Sequence, residues 1–178
     1  MTTSKDLARI QQLLKERKER EQAALKLFRP MPHQEPFFKS RAMKRIIRGG
    51  NRSGKSTSAA VEFASAATKI PLRDSEDNEI PFRYPTDRAL VMWVIGYDLD
   101  HLSRNIYRLL FQEGAFKLIK DLETGETRAW RPWIPEELAR KKETFNAPPL
   151  IPERFIDDFA WENKAQRVFK VCRLINGT

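Results

Sequence analysis

The chain has one cysteine, Cys172, in 178 residues, and two histidines, His33 and His101. A lone thiol forms no internal disulfide, and two such widely separated imidazoles supply no Cys/His metal cluster. A reducing, cytoplasmic setting is therefore expected. Long apolar runs are also missing. The longest, residues 89–95, falls far short of the roughly 20 residues of a membrane helix, and the amino terminus is charged rather than signal-like. Neither secretion nor membrane insertion is expected. Acidic residues are outnumbered: 33 Lys and Arg against 24 Asp and Glu leave a net charge of +9, which favours a polyanionic partner such as nucleic acid. Length and a 40% apolar content suit one globular domain.

The hydrophobic pattern predicts a long basic helix over residues 4–28, with Leu7, Ile10, Leu13 and Leu14 on one face. Eight basic and four acidic side chains give residues 1–29 a charge of +4, which reads as a solvated helical arm or a DNA- or partner-binding one. Pro30 and Pro32 end it, because proline has no amide donor and disfavours helix in the residue before it. Residues 30–178 then read as one domain. A turn leads into a short helix carrying Phe37 and Phe38, a strand is expected at 44–48, and an alanine-rich, largely buried helix at 55–68. Residues 74–78 form a polar loop. The continuous apolar run 89–95 suits a central parallel strand covered on both faces. Asp98 caps a helix whose Leu99, Leu102, Ile106, Leu109 and Leu110 share one face.

Strand, loop, helix, strand, helix in that order predicts right-handed parallel crossovers, hence an α/β fold with a mainly parallel sheet flanked by helices. Residues 114–149 carry no clear periodicity and are expected as a surface excursion. Pro152 followed by Phe155, Ile156 and Phe159 predicts a further helix, and residues 167–174 a strand. Asn176-Gly177 suits a two-residue hairpin turn, which predicts a returning strand and thus a domain that is incomplete at its carboxyl end.

The chemistry is concentrated in Gly49-Gly50-Asn51-Arg52-Ser53-Gly54-Lys55-Ser56, which matches G-x-x-x-x-G-K-[ST]. Between a strand and a helix, this spacing lets successive backbone amides converge on phosphate oxygens at the positive end of the helix dipole. Lys55 is expected to reach the β- and γ-phosphates of ATP, and the Ser56 hydroxyl to ligate Mg²⁺, with Thr57 one position further on. Arg52, inside the loop, reads either as an arginine finger supplied in cis or as a structural ion-pair partner. Between Pro36 and Val61 stand seven basic residues, Lys39, Arg41, Lys44, Arg45, Arg48, Arg52 and Lys55, and no acidic one. Gln34 either reads an adenine edge through its amide or is an ordinary helix-start glutamine.

The runs Pro32-His33-Gln34 to Phe38 and Arg45-Ile46-Ile47-Arg48-Gly49-Gly50-Asn51-Arg52-Ser53-Gly54-Lys55-Ser56-Thr57 resemble the large terminase subunit of tailed bacteriophages. The Gly-Gly-Asn-Arg-Ser-Gly-Lys run is the most specific part. The likeness covers residues 31–114 and continues more loosely to Gly177. It implies the ATP-binding part of a motor that pumps double-stranded DNA into a procapsid in the host cytoplasm. The rest of the large subunit, the small subunit, the portal and further copies of the chain are its implied partners. It also implies that Gln34 reads adenine, that Gly49, Gly50, Asn51, Arg52, Ser53, Gly54, Lys55, Ser56 and Thr57 hold the nucleotide, and that Lys55 and Arg52 act on the γ-phosphate. Many members place that arginine one residue earlier, where this chain has Asn51.

A P-loop motor also needs an apolar strand ending in Asp and a following Glu that orients the attacking water. No such segment occurs. Residues 155–158, Phe-Ile-Asp-Asp, have too few apolar residues and read as helix, and Asp98 reads as a helix cap. No acidic cluster suited to a two-metal nuclease is present. ATP binding with weak turnover is thus expected. The alternatives are a helicase-like P-loop ATPase and a non-hydrolysing nucleotide- and DNA-binding fragment.

Overall fold

The computed structural model describes residues 23–178. Most of the helix expected over residues 4–28 lies outside them; its end is the single turn α1 (Ala24–Leu27), after which Phe28 is extended ahead of Pro30. Helix α2 (Glu35–Lys39) has Pro36 in its first turn, where the missing amide costs nothing. Helix α3 (Lys55–Thr68) is the centre of the core. Val61 and Ala64 are fully buried, with Ala60, Ala66 and Ala67 nearly so, and Leu25, Phe28, Phe38, Leu72, Leu110, Leu150 and Ile151 are packed in the same cluster. Lys69, in the left-handed region, ends the helix, and the Ser65 hydroxyl donates to the Ile70 carbonyl just beyond it.

Helix α4 (Leu99–Phe111) starts at Asp98, whose carboxylate accepts from the His101 amide at 2.8 Å. The remaining strands are antiparallel. In one sheet β1 (Lys117–Lys120) lies between β2 (Thr127–Ala129) and β3 (Phe145–Asn146), with Leu118 and Ile119 buried. Its β1–β2 turn is held by Asp121, which accepts from the amides of Glu123 and Thr124 and from Arg128. Arg128 and the backbone amide of Arg131 both donate to Glu137 on the short helix α5 (Pro135–Ala139). In the other sheet β4 (Ile156–Asn163) pairs with β5 (Val168–Leu174).

The expected parallel sheet is overturned: the fold is mixed α/β with two small antiparallel sheets. Residues 44–48 and 89–95 form no strand, and neither joins a ladder. In residues 89–95 one backbone group has a described partner, the Leu90 amide, 3.5 Å from the Thr178 hydroxyl. Val91, Trp93 and Ile95 are 78–86% exposed, whereas Met92 packs against the core. An apolar run becomes a central strand only if strands flank it on both sides, and antiparallel hairpins, closed by local turns, form the sheets instead. A groove of about 630 Å³ lies between residues 90–94, α4 and β5.

Two local expectations also fail. The helix expected after Pro152 is one 3-10 turn (Glu153–Phe155) running into β4, because Ile156, Phe159 and Trp161 pair across to Leu174, Cys172 and Phe169. Residues 114–149, expected to be irregular, contain the three-stranded sheet and α5.

Ser103 on α4, itself buried, joins the helix to the second sheet. Its hydroxyl donates to the Phe169 carbonyl at 2.6 Å and accepts from the Phe169 amide at 2.9 Å, taking the place of a neighbouring strand at the outer edge of β5. Tyr107, Phe111, Phe159, Trp161 and Phe169 stack around this junction with centroids 4.7–6.4 Å apart. Ser103→Ala leaves two backbone groups unpaired and is expected to cost about 1–3 kcal/mol in urea unfolding, without a change in the denaturant slope.

Asp74 closes the polar loop 74–78. It accepts from the amides of Glu76 and Asn78 and pairs with Lys39 of α2 at 2.9 Å. The Lys39 ammonium, outweighing burial and aided by the two amides, holds the carboxyl at about 2. A carboxyl held below its ordinary value gives stability that is present above that value, near 3.8, and lost as the pH falls through about 2. The Tm difference between the wild type and Asp74→Asn is therefore expected to be full at about pH 5 and to close as the pH approaches 2.

Candidate phosphate-binding loop

Residues 49–54 follow segment 44–48 and enter α3 through two left-handed residues, Arg52 at φ 62° and Gly54 at φ 77°. The Ser53 amide reaches back to the Gly50 carbonyl at 3.4 Å, and helical bonding begins with the Ser58 amide on the Gly54 carbonyl at 2.8 Å. Between them the amides of Asn51, Arg52, Gly54, Lys55, Ser56 and Thr57 have no hydrogen-bond partner among the described residues, and no side chain caps the helix. Unpaired amides at a helix start carry the positive end of the dipole and form a nest for an anion.

The Lys55 side chain turns back over the loop. Its ammonium donates to the carbonyls of Gly49 at 2.8 Å and Gly50 at 2.6 Å, with Ser53 Oγ at 3.4 Å. The lysine is thus held beside the amides, and oxygens of a polyphosphate would replace the carbonyls as its acceptors. At Gly49 a Cβ would stand 2.7 Å from Ser53 Oγ, so the serine side chain would have to turn aside. Gly54 is required by its positive φ and by Gln34 Nε2, which a Cβ would strike. Gly50 has neither constraint, with open space around it.

The other expected site residues divide into two groups. Ser56 is exposed at the helix start and its hydroxyl makes no hydrogen bond among the described residues, leaving it able to ligate Mg²⁺. Asn51 and Arg52 are exposed as well, and Arg52 has no carboxylate partner among the described residues, which leaves the ion-pair alternative for it without support here. Thr57 instead donates to the Ala115 carbonyl at 3.3 Å and points away from the loop. Gln34 is buried: its Oε1 accepts from the Met31 amide at 2.9 Å and its Nε2 faces the Gly54 carbonyl at 3.5 Å. In this arrangement its amide braces the loop and offers no free edge to a base. His33, which the sequence did not single out for the site, does the same through Nε2 on the Ser53 carbonyl at 3.1 Å.

Around the loop, Arg41, Lys44, Arg48 and Arg52 are exposed and unpaired among the described residues, whereas Lys39 and Arg45 are engaged by carboxylates. No group of three or more His, Cys, Asp or Glu side chains suited to a metal occurs among the described residues, and no helix there is long and apolar enough to cross a membrane. Asp98 is a helix cap, and Asp157 and Asp158 lie on β4 rather than on the expected helix.

Gly54→Ala is expected to destabilise by about 1–2 kcal/mol through the left-handed backbone alone, and Gly50→Ala to change stability by less than about 0.5 kcal/mol; chemical denaturation of the two variants checks the contrast. Comparison with family models, with curated proteins and with solved structures finds no match to this chain.

Proposed function

We propose that the loop 49–56 binds the phosphates of ATP with Mg²⁺. The observation that carries this reading is the juxtaposition of six amides without a partner among the described residues with a lysine ammonium held 2.6–2.8 Å from the carbonyls of Gly49 and Gly50. Amides and lysine together present converging donors, as a triphosphate requires. Ser56 supplies a hydroxyl for the metal, and Arg52 extends from the loop as a further cation for the γ-phosphate.

At the level of the whole protein, the reading is the ATP-binding part of a viral DNA-packaging motor of the large terminase type. It rests on the likeness of the residues around Gln34 and the Gly-Gly-Asn-Arg-Ser-Gly-Lys run. Four exposed cations without a carboxylate partner among the described residues, Arg41, Lys44, Arg48 and Arg52, support an encounter with double-stranded DNA. The remainder of the large subunit, the small subunit, the portal and other copies of the chain are proposed partners in the host cytoplasm. A second reading, nucleotide binding without efficient hydrolysis, is favoured by the lack of an acidic cluster among the described residues to hold metal and activate water.

Titration calorimetry with ATP and Mg²⁺ tests the proposal. Lys55→Ala removes a charge-assisted hydrogen-bond donor and is expected to weaken ATP binding by roughly 10- to 150-fold. DNA retention on a salt gradient should change little. A wild-type protein that binds no ATP, or a variant that binds it equally well, would overturn the reading.

A further inference from the structure

The segment that delivers the chain to the loop is tied down by one side chain. Among the described residues, the backbone groups of residues 43–48 make no hydrogen bond, and Met43 and Ile46 are 98% and 81% exposed. Arg45 and Ile47 are half-buried, and Arg45 makes the polar contacts. Its guanidinium donates to Glu62 Oε1 at 2.7 Å and to the Phe37 carbonyl at 2.9 Å, and lies 4.4 Å from the centre of the Phe37 ring. Glu62 is on α3, two turns beyond Lys55, and its side chain and that of Arg45 are 13% and 15% exposed. The same Oε1 accepts from the Tyr84 hydroxyl at 2.5 Å and has Arg83 Nε at 3.7 Å. Burial, reinforced by the carboxylate, pushes the Tyr84 hydroxyl up to about 12, so it remains a donor.

We propose that Glu62 is a positioning residue for the phosphate loop: by holding Arg45 it fixes the incoming chain against α3, and so sets where Gly49 and Gly50 meet Lys55. This rests on triphosphate binding at the loop. The geometry closes a clamp. On one side Glu62 and Arg45 tie residues 43–48 to the flank of α3; on the other, His33 and Gln34, just ahead of α2, meet the carbonyls of Ser53 and Gly54. Phe37, which accepts from Arg45, belongs to α2, so both sides share one support. With Glu62 removed, the bond from Arg45 to the Phe37 carbonyl would be the one described polar contact left between residues 43–48 and the body. The Gly49 and Gly50 carbonyls would then no longer be fixed opposite the helix amides.

The test is a double-mutant cycle on the full chain, read by ATP affinity and by proteolysis. Glu62→Ala and Arg45→Ala should each weaken ATP binding about tenfold through misplacement of the loop, and the double variant should bind no more weakly than either single one. Tyr84→Phe removes a hydrogen bond from the same carboxylate while the bonds of Arg45 to Glu62 and to the Phe37 carbonyl remain; it should lower Tm and leave ATP affinity unchanged. Equal loss of affinity in Tyr84→Phe, additive losses in the cycle, or unchanged affinity in Glu62→Ala would overturn the proposal. If Glu62→Ala fails to fold, Glu62→Gln, which keeps the acceptor and loses the charge, should bind ATP less tightly than wild type, and equal binding would overturn it. Without nucleotide, trypsin should cut after Lys44 and Arg48 faster in Glu62→Ala than in wild type, and equal cutting overturns the tether. Faster cutting with no ATP binding by wild type would keep the tether and overturn the phosphate reading, so the two failures are distinguishable.

Discussion

The burial of α3 is the constraint on which the other elements converge. Its run of alanines around Val61 lets α1, α2, α4 and the segments near Leu72 and Leu150 approach closely, because small side chains keep backbones near one another. Every functional feature is referred to this helix. Its amino terminus is the floor of the loop, Glu62 on its flank holds the incoming segment, and Ala67 near its end accepts from Asn176. A helix that is packed so tightly has a fixed direction, and its dipole and unpaired amides therefore point to one place.

The loop 49–56 keeps its shape without a parallel sheet beside it. The forces that form it are short-range: two left-handed residues, the Lys55 ammonium on two carbonyls, and the braces from His33 and Gln34. The sheet is governed by long-range pairing instead. Residues 44–48 and 89–95 carry β-branched and apolar side chains, but such a segment becomes a strand only through a neighbour. The antiparallel pairs β1–β2 and β4–β5 need a local turn alone, with Asp121 and the turn ending at Arg167 in left-handed conformation.

Charge is divided in the same local manner. Arg45 and Lys39 are neutralised by Glu62 and by Asp74, both outside the acid-free stretch from Pro36 to Val61. The cations left unpaired among the described residues, Arg41, Lys44, Arg48 and Arg52, are exposed in the segment that leads into the loop and in the loop itself. The basic run therefore separates into a part held in ion pairs and an exposed part that is available to polyanions, a division that linear spacing does not reveal.

The loop motif, the α3 span and the Asp98 cap with the helix behind it were legible because each depends on residues close in sequence: glycine at positive φ, alanine at helical spacing, a carboxylate three residues before an amide. The three-stranded sheet was not, since strands of two to four residues carry no measurable periodicity. The helix expected after Pro152 failed because Phe155, Ile156 and Phe159 fit helical spacing as well as strand pairing, and pairing with β5 decided it. The site shows the same boundary. By itself the sequence determined which residues form the loop and that its surroundings are basic. Only the tertiary structure decided that Gln34 and Thr57 are engaged elsewhere, that Ser56 and Arg52 are free among the described residues, and that Glu62 reaches Arg45. Those outcomes depend on contacts between segments 17–58 residues apart, which are set by packing around α3 and not by neighbouring residues.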